Sequence, residues 1–245
     1  TAFWLESDRM LNLAFSEKSL DVQRQVVTEE FRQSYLNQPY GDVWLLLRPL
    51  AYKVHPYKWP TIGKDISHIR DANMQDVKSF YSRFYNPDNA ILTVAGDVET
   101  DTIYKLAEKW FGPISRGTSD PRNLPVEPEQ NGHRTISVNK NVPFDAIYKT
   151  YHMCSRMDKE YHTTDLISDI LSNGDSSRLY NRLVKERKIF TDIQAYVTGD
   201  IDNGLFIFTG KIIDQVKMEE AEAALEQEIN LIIEERVNEK ELEKV

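Results

Sequence analysis

The sequence predicts an α+β fold of two related domains, each a mixed or antiparallel sheet packed with helices, and three observations carry that prediction. Apolar residues recur at helical spacing in several segments, short β-rich runs alternate with those segments, and one polar stretch without periodicity divides the chain. The dividing stretch, 115–133, contains Pro121, Pro125, Pro128 and two glycines, so it reads as a linker between domains over 1–114 and 134–245. At roughly 150 residues per domain, a chain of 245 residues makes one large domain or two ordinary ones.

The elements follow in order. Ser19 caps a helix whose Val22, Val26, Val27 and Phe31 turn inward. Asn73, with Asp76 three residues on, caps a second helix with Val77, Phe80, Tyr81, Phe84 and Tyr85 on one face, read as core, and Pro87 ends it by forcing Asn86 out of the helical region. Residues 90–95 form a short strand up to Gly96-Asp97. Thr100 then caps a helix carrying Ile103, Leu106, Ala107, Trp110 and Phe111, stopped by Gly112-Pro113.

Beyond the linker, 135–138 and 146–152 read as strands, and Leu166, Ile167, Ile170 and Leu171 mark a helix ended by Asn173-Gly174. A helix over about 176–187 comes next. Residues 191–197 and 204–209 form a hairpin around Gly199-Asp200, and a long helix turns Met218, Ala221, Leu225, Ile229 and Ile232 inward. Setting Gly210 against Gly96 aligns 206–209 with 92–95, each followed by an apolar-faced helix, which is how a duplicated architecture would look. Strand, Gly, helix is also a common arrangement in α+β folds.

Charge narrows the function. Thirty Lys and Arg against 39 Asp and Glu give a net of −9, which leaves no basic excess to grip a phosphate backbone. The apolar runs at 43–47 and 205–208 are far short of the roughly 20 residues of a membrane-spanning helix. A single cysteine, Cys154, forms no internal disulfide and no thiolate zinc cluster, so any metal must be held by His, Asp or Glu. The compartment stays open.

Catalytic motifs are scarce. The five histidines, His55, His68, His133, His152 and His162, include no pair at the i, i+4 spacing that joins two imidazoles on a helix face. His55, in His55-Pro56-Tyr57, reads as a packed loop residue, and His152 and His162 have no carboxylate at ligand spacing. Phosphate-binding loops and the Gly-x-Ser-x-Gly elbow are absent from the sequence. Glu30 stands out because it lies four beyond Val26 and three beyond Val27, close to an apolar stripe. On spacing alone the leading reading is a surface Glu beside Glu29; partial burial is the alternative, and a buried carboxylate needs a cation, a metal or donors. Gln23, two turns earlier, shares its face.

A family resemblance runs nearly end to end. The run Asp21-Val22-Gln23-Arg24-Gln25-Val26-Val27-Thr28-Glu29-Glu30-Phe31-Arg32, then His55-Pro56-Tyr57 and Ile62-Gly63, then Phe80-Tyr81-Ser82-Arg83-Phe84-Tyr85-Asn86-Pro87-Asp88-Asn89 and Val94-Ala95-Gly96-Asp97, resembles the pitrilysin and insulinase family of inverted zinc peptidases, which includes the mitochondrial processing peptidases. Ser176-Ser177-Arg178-Leu179 and Leu183-Val184-Lys185-Glu186 continue the pattern.

The resemblance implies a LuxS- and processing-peptidase-like metalloenzyme fold and Zn2+ in the parent protein, with Glu30 as the third zinc ligand. The two histidines and the general-base Glu of the His-x-x-Glu-His helix would lie before Thr1, so the first domain would be N-terminally truncated and hold no catalytic residue. Gln23 falls where the family has a supporting Glu. Val184 and Thr191 stand where it places a substrate-holding Arg and Tyr, so that pair would come from a second homologous half or subunit closing over a peptide substrate. The implied activity is zinc-dependent hydrolysis of peptides or small unfolded proteins in a closing chamber, with this fragment inactive and prone to self-association. The alternative is a noncatalytic core or assembly subunit that binds a partner. The acidic C-terminal stretch reads as a solvated helix face.

Overall fold

The computed structural model describes residues 1–117 and 123–245; 118–122, which include Pro121 of the expected linker, lie outside the described residues. In chain order the helices are α1 (Ala2–Leu11), α2 (Glu17–Phe31), α3 (Val43–Ala51), α4 (Ile66–Asp71), α5 (Met74–Phe84), α6 (Thr100–Phe111), α7 (Tyr161–Ser172), α8 (Met218–Glu234) and α9 (Glu239–Leu242). The strands are β1 (Ala146–His152), β2 (Phe190–Val197) and β3 (Leu205–Ile212), and π-helical stretches occupy Arg32–Leu36 and Tyr180–Glu186. Two compact units result: 1–38 with 60–124, and 39–59 with 125–245. Residues 39–59 thus fold with the C-terminal half of the chain.

The second unit is built on one antiparallel sheet in the order β1-β3-β2. Its centre explains the apolar run Leu205-Phe206-Ile207-Phe208, all four buried. A strand covered on both faces has no polar side to show, so alternation gives way to a continuous apolar run. Phe206 and Phe208 face a core with Leu171, Leu183, Phe190 and Leu225, while Leu205 and Ile207 pack against Ala51 and Tyr52 at the end of α3. Burying each such side chain contributes about 1.5–3 kcal/mol. This second face is what draws 39–59 to the sheet.

β2 and β3 form the expected hairpin, with Val197 opposite Phe206, and its connection, 198–204, contains Gly199-Asp200. α8 buries Ala221 and Leu225, and Ile229 and Ile232 pack against the same core, whereas Met218 in the first turn is exposed. The helix expected over 176–187 is present but passes into the π-helical stretch at Tyr180. Gly210 is internal to β3, which continues to Ile212, whereas Gly96 follows a segment with no strand; the two local settings therefore differ.

The first unit is helical among its described residues. α5 starts as expected: Asn73 accepts from the Asp76 amide and Asp76 accepts from the Asn73 amide. Its Phe80 and Phe84, and Tyr85 just beyond its end, are exposed rather than core. Residues 90–95 and 135–138 are not strands. A strand exists by virtue of its ladder partner, and none of the described residues pairs with either segment, so Ile91 is left 95% exposed.

Candidate metal-binding face and its family

α2 begins at a capping box, but the cap is Ser16: its Oγ accepts from the Ser19 amide at 3.1 Å and Ser19 Oγ accepts from the Ser16 amide at 3.3 Å. Ser19 is therefore the third helical residue rather than the cap. The apolar residues of α2 divide between two faces. Phe31 is buried and Val27 half-buried, while Val22 and Val26 are about half exposed at 53% and 52%.

Glu30 is exposed, the surface setting that its place beside Glu29 allows, and not partly buried against the apolar stripe. At 100° per residue it stands beside Val26 and Gln23 on the face that no described residue covers. Gln23 is exposed on the same face, seven residues earlier. Glu29, by contrast, is engaged: Arg32 Nη1 approaches its Oε2 at 3.4 Å and Gln33 Nε2 donates to its Oε1 at 3.5 Å. Among the described residues no group of three His, Cys, Asp or Glu side chains is placed to hold a metal ion. A zinc site needs at least three protein ligands. The donors present here, one carboxylate with a neighbouring amide, do not make one by themselves.

The remaining histidines and substrate positions have structural settings. His162, His68 and His133 are exposed. His152 Nε2 lies 3.0 Å from the Ala51 carbonyl oxygen, with its ring edge-on to Tyr52. Val184 packs partly buried against the sheet core, and Thr191 is exposed, its hydroxyl donating to the Lys211 carbonyl at 3.3 Å.

His55 is packed, as the loop reading expects, in a polar cluster that the sequence does not announce. It is 4% exposed; its Nδ1 accepts the Tyr57 amide at 3.2 Å and its Nε2 lies 3.3 Å from Asp202 Oδ2. The amides of Lys53, Val54 and His55 all donate to the carboxylate of Glu127, at 2.6, 2.8 and 2.9 Å. Desolvation pushes the Glu127 carboxyl upward, but the three amide bonds together outweigh it and hold the group below its ordinary value. Tyr52 donates to the Asn203 carbonyl at 3.0 Å, and burial, then the nearby Asp200 charge, drives its phenol above the ordinary range. This cluster ties 52–57 to the sheet connection.

A family model described as the peptidase M16 inactive domain matches residues 71–245. The chain belongs to the M16 peptidase family. A zinc protease of Helicobacter pylori named PqqE is 31% identical over 235 residues, covering 94% of this chain and 51% of its own length. The beta subunit of the mitochondrial-processing peptidase of Caenorhabditis elegans is 28% identical over 121 residues, covering 49% of this chain and 26% of that protein. The crystal structure of a protease from Helicobacter pylori superposes with a TM-score of 0.88 at 28% identity, covering 99% of this chain and 59% of that one. This M16 chain thus spans about half the length of the curated relative it matches over most of its own length. Its α+β fold, a small antiparallel sheet packed with helices, is that of M16 peptidase domains. No helix of the described residues is long and apolar enough to cross a membrane.

Proposed function

We propose that this chain is part of a zinc-dependent metalloendopeptidase that hydrolyses peptides or small unfolded proteins inside a closing chamber, and that by itself it is inactive. Membership of the M16 family carries the reading, and the position of Glu30 and Gln23 on one uncovered face of α2 supports it. In this reading Glu30 supplies one zinc ligand, and Gln23 steadies the neighbouring groups by hydrogen bonding without adding charge. The other two ligands and the general base come from a His-x-x-Glu-His helix outside these 245 residues. Bound zinc would activate a water. Val184 and Thr191 offer no substrate-holding Arg and Tyr, so a second homologous half or subunit provides them.

A second reading, a noncatalytic core or assembly subunit that binds a partner, is favoured by the description of the matched family model as an inactive domain and by Gln23 in place of a carboxylate. The two separate on one experiment. The full-length parent and its Glu30→Gln variant are assayed for bound zinc and for cleavage of an unfolded peptide. The peptidase reading expects about one zinc per chain in the parent and loss of both metal and activity in the variant. A parent that holds no zinc and cuts nothing establishes the scaffold reading instead.

A further inference from the structure

On α2, Asp21, Arg24, Gln25, Thr28, Glu29 and Arg32 follow the i, i+3, i+4, i+7, i+8, i+11 spacing of one helical stripe, and with Arg70 of α4 they line an open groove in the first unit. The stripe lies on the side of α2 opposite Glu30 and Gln23, because Glu30 is displaced by about 200° from Thr28. Three guanidinium groups thus share one groove with two carboxylates.

The two internal ion pairs are loose. Arg24 Nη1 stands 3.4 Å from Asp21 Oδ1 and Arg32 Nη1 stands 3.4 Å from Glu29 Oε2, with the carboxylates 62% and 51% exposed. Exposed pairs of this kind hold their partners weakly and yield to a better-placed anion. Arg24 Nε is shut off from solvent and has no hydrogen-bond partner. The chain thus leaves Arg24 short of one acceptor, so its guanidinium is incompletely held. The Arg70 side chain makes no ion pair or hydrogen bond among the described residues, so the groove is one positive charge in excess within a chain of net −9. Guanidinium groups are donors only, in a fork matched to carboxylate and phosphate oxygens.

We propose that this groove binds an oxyanion bearing at least two negative charges, at a site separate from the Glu30 face. Arg70 supplies the free donors, and Arg24 and Arg32 turn from Asp21 and Glu29 to the ligand. The same chemistry is offered by the carboxylates of an acidic peptide segment and by a free diphosphate. Titration of the 245-residue chain with a tetraglutamate peptide and, separately, with inorganic pyrophosphate at low salt distinguishes the sources. Saturable binding by at least one probe is expected, weakened about tenfold in Arg70→Gln and unchanged in Arg9→Gln, a control on α1, with the circular dichroism of both variants matching the parent. Saturation by the peptide alone assigns the site to acidic peptides; saturation by pyrophosphate alone assigns it to free phosphate groups. Failure of both probes to saturate, or equal binding to the Arg70→Gln variant, overturns the proposal.

Discussion

Arg178 and Glu241 show how much one side-chain pair can decide. Arg178 is 10% exposed, and its Nε and Nη2 donate to the two oxygens of Glu241 at 2.8 and 2.9 Å, 63 residues away in sequence. That fork holds the Glu241 carboxyl at about 2, well below its ordinary 4.5. The carboxyl is lowered on folding, so the pair stabilises the folded state above pH 4.5 and the contribution is lost as pH falls from there toward 2. Glu241→Gln should therefore cost about 1 kcal/mol at neutral pH, a charge-assisted bond reduced by partial exposure. The gap in melting temperature between parent and variant should close as pH approaches 2. A gap that stays constant across that range would show that the pair contributes nothing through its charge. The sequence reads this stretch as a solvated helix face, because nothing in Asn238-Glu239-Lys240-Glu241 points to a guanidinium so far upstream.

At the scale of elements, β3 has little room to change at Gly210. Gly210 sits opposite Ile193 in the β2–β3 ladder, and a Cβ placed there would meet the ring of Phe190 at 2.6 Å. Phe190 is fully buried, so its ring has no open side to move into. Gly210→Ala should destabilise by about 1–3 kcal/mol as overpacking. The checking measurement is the midpoint of urea unfolding, with the slope unchanged; a midpoint equal to that of the parent would mean that the ring shifts freely. The strand itself is legible from its apolar run, but the reason for the glycine is not, because the crowding comes from a residue twenty positions earlier on a neighbouring strand.

Across the whole molecule the two units differ in what they bury. The second has a continuous core on both faces of its sheet. In the first, Phe31 is the only large apolar side chain buried among the described residues, while Trp4, Leu5, Val22, Phe80, Ile91 and Tyr104 are exposed. Apolar helix faces and an unpaired β-rich segment of this extent favour association. We predict that the 245-residue chain self-associates as its concentration rises, read by light scattering, and that amides of α5 and α6 exchange faster than those of β3. A monodisperse monomer at high concentration would refute the first expectation, and equal protection of the two units the second.

The sequence by itself determined the local and periodic features: the capping box at Asn73 and Asp76, the stops at Pro87 and Gly112, the strand at Ala146–His152, the hairpin partners and the M16 family. Each depends on residues a few positions apart or on a pattern along one segment. The tertiary structure decided the rest. It joined 39–59 to the sheet, since only the folded sheet shows a second apolar face for Ala51 and Tyr52 to cover. It left 90–95 unpaired, because β propensity supplies a strand's side chains but not the neighbouring backbone that completes its hydrogen bonds. It placed Glu30 and Gln23 on an exposed face, since spacing fixes which residues share a helix face and only packing fixes which way that face points.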